Sequence, residues 1–234
     1  MKLLAVDTSG PVCGVAVMDG ARVASEYTAQ NKNTHSASLM PMVEKCLESG
    51  GYTLEEMDAL AVVVGPGSFT GVRIGVATVK GLAHGSGKPV IPVDALEALA
   101  ASANRKSWPG VVCPLQDARA GQVYAAAFQG GQRLMADEAL KLEDFLERVR
   151  QMKAEGPWFF LGDGTTVHRE KIQAILGPGA EFAEAPFAFL RPAAAGFLAL
   201  EKGEPMDYRN LKEFYLRPPN AEKNKKLLEA MRSE

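Results

Sequence analysis

Residues 59–64, Ala-Leu-Ala-Val-Val-Val, form an unbroken apolar run that ends in Gly65-Pro66-Gly67-Ser68-Phe69-Thr70-Gly71. A run without polar alternation suits a strand covered on both faces, the habit of parallel strands in α/β folds. Behind the glycines a helix is expected over residues 71–84, with Gly85 ending it. Strand, glycine loop and helix in that order point free backbone N–H groups at one place, which suits an anion. The loop is not a Walker A motif, because no Gly-Lys-Ser/Thr closes it. The plainer alternative is that Ser68 or Thr70 caps the helix and the glycines permit a tight turn.

The flanking pattern extends this unit. Residues 3–7 and 12–18 are apolar strands, Asp19-Gly20 is a hairpin signal, and residues 22–27 make a third strand. Leu39, Met42, Val43, Cys46 and Leu47 fall at helical spacing, so a helix is predicted from Ser36 to the Gly50-Gly51 stop. Residues 89–93 read as a strand, and Asp94 caps a helix through Ala103. The polar stretch from Asn104 to Gly110 contains Pro109 and marks a domain boundary.

The second half opens in the same way. Residues 111–115 run into Gln116-Asp117, residues 123–128 form a strand, and Gly130-Gly131 makes a turn. Helices are expected over 142–154, 167–176 and 193–202, and strands over 158–161, 182–184 and 212–216. The expected organisation is a first lobe at 1–104, a reduced second lobe at 105–220 and a charged tail at 221–234. A duplicated βββαβαβα plan in two lobes is that of the actin-like ATPase fold (ASKHA, ribonuclease H-like), shared by actin, sugar kinases and Hsp70.

Several classes drop out. The formal net charge is −2, so no basic surplus marks a stand-alone nucleic-acid binder. Cys13, Cys46 and Cys113 are odd in number and widely spaced, which fits buried thiols in a reducing compartment. Asp7 interrupts any signal-peptide core, and no apolar run reaches the ~20 residues of a membrane span. A cytoplasmic protein without membrane contact is expected.

Candidate chemistry is sparse. Asp7 at a strand end beside Thr8 and Ser9 suits a hydrated cation and a phosphate, although Asp, Ser and Gly10-Pro11 equally suit a turn. Asp7 and Ser9, with Gly67 and Ser68, are the expected nucleotide-proximal set. Gly71, Gly75 and Thr78 leave one helical face nearly bare, suited to a core crossing or to a subunit contact. Arg73, among them, can reach a phosphate or a partner carboxylate, or stay solvated. Gly85-Ser86-Gly87-Lys88 is not a phosphate loop, because Pro89 and a strand follow it. Asp117, Arg119 and Gln122 sit in the matching hairpin of the second half, where they either face the cleft or simply supply hairpin polarity, and Gly162-Asp163-Gly164 is a turn after a strand, cleft-facing or structural. His35, His84 and His168 have no ligand spacing, so no metal site and no catalytic residue are expected.

Residues 3–9 (Leu-Leu-Ala-Val-Asp-Thr-Ser), residues 65–75 with their Ser-Phe-Thr-Gly-Val-Arg continuation, residues 114–119 (Pro-Leu-Gln-Asp-Ala-Arg) and residues 214–218 (Phe-Tyr-Leu-Arg-Pro) together resemble the TsaB family, formerly YeaZ. The resemblance spans the chain and is strongest in the first half. It implies a non-catalytic subunit of the complex that transfers threonylcarbamoyl from its adenylate to N6 of the adenosine 3′ to the anticodon. The catalytic subunit, TsaD, holds a metal on two histidines of an HxxxH helix. The matching positions here are Ala95 and Leu99, neither a metal ligand.

The resemblance further implies direct pairing with TsaD, action with TsaE, a homodimer when isolated, and contact with tRNA through the complex. No cofactor is expected on this subunit, and ATP or ADP would lie at the interface with TsaD. Pairing is expected through the first-lobe helices, with Leu39, Met42, Val43, Cys46, Gly71, Arg73, Gly75 and Thr78 as contact residues. On that reading Gly75→Leu blocks association and leaves the monomer folded. The alternatives are an ATP-dependent small-molecule kinase of the same superfamily and a metallopeptidase-like glycoprotease.

Overall fold

In the first strand, β1 (Lys2–Asp7), alternate side chains serve two cores. Leu4 and Val6 enter one cluster with Leu39, Val43, Val72 and Val76, while Leu3 and Ala5 enter another with Leu96, Leu99 and Ala195. A strand apolar from Leu3 to Val6 is therefore covered on both faces, and its period of two sorts the residues. The computed structural model describes residues 1–30, 34–103, 109–152, 156–184 and 188–217.

The first sheet contains β1, β2 (Cys13–Asp19), β3 (Arg22–Ala29), β4 (Ala59–Gly65) and β5 (Val90–Asp94) in the order β3-β2-β1-β4-β5. The second contains β6 (Val111–Asp117), β7 (Gln122–Gln129), β8 (Gln132–Lys141), β9 (Trp158–Leu161) and β10 (Ala180–Phe182) in the order β10-β9-β6-β7-β8. The two orders are the same, read from opposite ends. In each sheet the first three strands are antiparallel, and the two added through helices run parallel. The duplicated α/β plan expected of an actin-like ATPase fold is present.

Helices α1 (His35–Gly50) and α2 (Phe69–Ser86) cover the outer face of the first sheet. Helices α4 (Leu142–Gln151) and α5 (Asp163–Leu176) cover the outer face of the second, through Phe145, Leu146, Val149 and Ile172. Helices α3 (Ala95–Ser102) and α6 (Pro192–Lys202) lie between the sheets and join one apolar core to both. Asp94 starts α3 by accepting the Glu97 N–H at 2.7 Å. Gly196 permits α6 to approach β1 and β2, because a Cβ there would stand 2.9 Å from Met18 Cγ.

Some expectations are corrected. Helix α6, assigned to the second lobe, packs on β1 and β2 of the first sheet. Met206 then bridges to Val90, and Leu211 is buried in the first lobe's outer core, so the chain from α6 to Leu211 returns to that lobe. The expected strand at 212–216 is irregular chain, which bonds β4 through Phe214 N–H to Val64 O at 2.8 Å. Strand β8 was not anticipated, since its mixed, largely unburied sequence carries no hydrophobic run. The break within 104–108 and the tail at 221–234 lie outside the described residues. None of the described helices is long and apolar enough to cross a membrane.

Candidate functional site between the lobes

The C-terminal ends of β1 and β4 carry the Asp7-Thr8-Ser9 turn and the glycine loop, and backbone contact locks them together. Ser68 N–H donates to Ser9 O at 2.7 Å, and the Thr8 hydroxyl donates to Gly71 O at 2.8 Å. Ser68 Oγ accepts the Gly71 N–H at 3.2 Å as the N-cap of α2. A side chain on Gly67 would be driven into Ser9 O, one on Gly71 into Thr8 O, and one on Gly75 into Thr8 Oγ1. The glycines are therefore needed for close approach to the Asp-Thr-Ser turn.

Asp7, Ser9, Gly67 and Ser68 thus converge, as the motif reading expected. Their exposure differs. Asp7 and Ser9 are only 2% and 1% exposed. Asp7 Oδ1 accepts the Ser9 N–H at 2.8 Å. Burial nevertheless pushes its carboxyl up to about 6, against the pull of the Ser9 hydrogen bonds. Asp7 faces a void of about 10 Å3 with Leu99, Gln116 and Asp163, room for one water. Asp163 is likewise raised to about 6, chiefly by burial, with the neighbouring Asp117 charge adding to it.

Beside this void an open cleft of about 730 Å3 runs between the lobes. Ser9, Ser68 and Thr70 line its first-lobe wall, and Asp117, Arg119 and Tyr124 its second-lobe wall. The turn carrying Asp117 is held by Arg119 N–H donating to Asp117 Oδ1 at 3.0 Å, with Arg119 and Ala120 in left-handed conformations (φ 63° and 52°). Gln116 Oε1, Gln122 Oε1, Thr165 Oγ1 and His168 Nε2 are buried without a hydrogen-bond partner among the described residues. Among the described residues no three His, Cys, Asp or Glu side chains form a metal-binding group.

The contact set expected on the helices divides. Leu39, Val43 and Cys46 are 1%, 2% and 0% exposed and belong to the outer core of the first lobe. Gly71 and Gly75 are covered by Thr8 of the same chain. These five are interior residues and present no surface to a partner. Met42 and Thr78 are half-buried, and Arg73 is exposed. Arg73 Nε donates to Tyr215 Oη at 3.1 Å, and its guanidinium lies 3.8 Å from the Phe69 ring centroid.

Three elements of the site escaped the sequence reading. Residues 214–217 line the cleft, although nothing local says that this segment returns to it. Gln116 meets Asp7 only through tertiary packing, beside Asp163, for which a cleft-facing position was one of the two readings. His168, which lacks any ligand spacing in the sequence, has a side chain only 13% exposed, with Nε2 3.8 Å from Asp117 Oδ1.

A family model described as "TsaD: tRNA N6-adenosine threonylcarbamoyltransferase" matches residues 22–219. A Bacillus subtilis protein named tRNA threonylcarbamoyladenosine biosynthesis protein TsaB is 36% identical over 95% of this chain and 96% of its own. A solved Pseudomonas aeruginosa structure, described as an uncharacterized protein with similarity to peptidase YEAZ, is 33% identical. It covers 92% of this chain and 99% of its own at a TM-score of 0.73. An Arthrobacter inorganic polyphosphate/ATP-glucomannokinase, 11% identical, covers 86% of this chain and 99% of its own at a TM-score of 0.51, and shares the fold alone. The duplicated sheets, the glycine loop locked onto the Asp-Thr-Ser turn and the full-length similarity agree: this chain belongs to the TsaB (YeaZ) family, within the wider group that the TsaD model describes.

Proposed function

We propose that this chain is a non-catalytic subunit of the complex that transfers threonylcarbamoyl from its adenylate to N6 of the adenosine 3′ to the anticodon in tRNA. Family membership supports the coarser part, a role in tRNA threonylcarbamoyladenosine biosynthesis. The finer part is that the chain binds TsaD directly and activates it together with TsaE, in the cytoplasm, with tRNA reached through the complex.

One observation carries this reading. Ala95 and Leu99 lie one turn apart on α3, buried at 0% and 1%, where TsaD is expected to hold its metal on two histidines. A catalytic metal needs about three protein ligands, and methyl and isobutyl groups supply none. Leu99 also walls the void that contains Asp7.

The cleft's donors fit a nucleotide only in part. Its volume suits a small ligand, and Ser68 and Thr70 at the α2 N-terminus offer polar groups to a phosphate. Asp7, the carboxylate placed to hold magnesium, is buried and already accepts the Ser9 N–H. This supports a subunit without a cofactor of its own, with ATP or ADP at the interface with TsaD. Partner contact, and homodimer contact in isolation, is assigned to the outer faces of α1 and α2. Met40 (38% exposed), Met42, Arg73 and Thr78 remain available there.

Reconstitution tests the proposal. Purified chain is mixed with TsaD, TsaE, threonylcarbamoyl-adenylate and unmodified tRNA, and modified adenosine is measured. Modification should fall to background when this chain is omitted, and the chain alone should modify nothing. Transfer by the isolated chain would defeat the proposal, as would full transfer without it. Substrate-stimulated ATP hydrolysis by the lone chain would instead favour the kinase reading.

A further inference from the structure

The segment after α6 reaches the cleft from the first lobe. Leu211 is fully buried in the outer core of that lobe. Phe214 N–H donates to Val64 O, and Phe214 O presses on Gly65, where any side chain would collide. Gly65 also holds φ +117°, a conformation that disfavours replacement. Tyr215 then stacks on Phe69 with centroids 4.8 Å apart, and its hydroxyl accepts the Arg73 Nε–H. Two residues later the chain touches the other lobe, where Arg217 Nη1 donates to Ala118 O at 3.0 Å on the turn between β6 and β7.

We propose that residues 211–217 are a strap across the cleft, seated on the first lobe and hooked to the second by Arg217, which limits how far the lobes part. The two attachments are unequal. The first-lobe seat combines a buried leucine, a backbone hydrogen bond, a ring stack and an arginine contact. The second-lobe hook is a guanidinium on a neutral carbonyl, so it yields first. The central core around α3 and α6 holds both sheets and serves as the hinge. Phe214, Tyr215, Leu216 and Arg217 all line the cleft, so releasing the hook opens the cleft along the wall they form.

Pulsed electron–electron distance measurement tests the strap without reference to activity. The native cysteines are buried, so spin labels attach to cysteines introduced at exposed Ala21, in the turn between β2 and β3, and exposed Glu170, on α5. Labelled chain is diluted with unlabelled chain to suppress signals between molecules. Arg217→Ala should shift the inter-lobe distribution to longer distance and broaden it, with the melting temperature close to that of the parent. Arg217→Lys, which keeps a donor, should stay near the parent. Tyr215→Ala, which weakens the other end, gives a second route to the same lengthening if Arg217→Ala folds poorly. Distributions that superimpose on the parent in the folded variants would overturn the strap.

Discussion

Gly75→Leu should yield a chain that unfolds or aggregates, not a folded monomer that has lost only its partner. The reason is the backbone around Thr8. An added Cβ at Gly75 is driven into the Thr8 hydroxyl, with Val62 Cγ2 3.5 Å away on its other side. Thr8 cannot swing clear, because its hydroxyl donates to Gly71 O and its residue is wholly buried. Overpacking a tight core costs typically 1–3 kcal/mol, and a full isobutyl group at a site with no free volume lies at or above about 3 kcal/mol. A domain holds about 5–15 kcal/mol in all, so much of its stability goes. Gly75→Ala should lose less, because only the Thr8 contact must give. Thermal unfolding with size-exclusion chromatography checks both variants. A Gly75→Leu chain with parental melting temperature and parental elution would place position 75 at the surface and refute the interior assignment.

The misreading of this helix shows what a sequence conceals. A bare stripe of Gly71, Gly75 and Thr78 looks the same whether a subunit or the chain's own first turn covers it. The covering residue, Thr8, lies far upstream. The stripe's local meaning, close approach, was legible, but its partner was not. Leu39, Val43 and Cys46 failed for a related reason, since helical spacing gives the apolar face of α1 without saying which positions the first sheet covers. Repetition made the fold legible. Apolar runs 3–6 and 111–115 each open a three-stranded meander, and the turn signals at Gly20 and Gly130-Gly131 fall at corresponding places in it.

The site was half legible. Asp7, Ser9, Gly67 and Ser68 lie at the ends of strands that pair in parallel, and the motif reading brings them together. Gln116, Asp163 and Arg217 join them through packing of the second lobe and the return of the chain after α6. Neither leaves a periodic or spacing signal. The edge strand β8 was hidden because periodicity detects burial, and only Met135 and Leu140 in it are buried.

That edge strand carries the second large effect. Arg133 on β8 pairs with Asp137 on the same strand and reaches Asp94 Oδ1 and Glu97 Oε2 on α3, each at 3.3 Å. Lys202 on α6 pairs with Glu97 at 2.7 Å, so the cluster ties β8 to both central helices. Three carboxylates face two cations, and the Asp137 side chain is 6% exposed beside Asp94. Burial first, then the hydrogen bond and charge of Asp94, push the Asp137 carboxyl up to about 8 despite Arg133. The folded chain therefore keeps a proton that the unfolded chain has released above about 4. Its contribution to stability is complete below that pH, declines as pH rises, and is lost once pH passes about 8. Asn at this position mimics the neutral acid: its amide donates to Asp94 and its oxygen accepts from Arg133. Asp137→Asn should match the parent near pH 4 and exceed it at pH 9. Screening at the rim and sharing of the proton with Asp94 reduce the gain to about 2 kcal/mol. Urea unfolding across this range reads the difference between the two chains, which cancels the carboxyls they share, Asp7 and Asp163 among them. A constant difference at every pH would show that Asp137 ionises normally in the folded chain and that β8 is held to α3 by ordinary ion pairs.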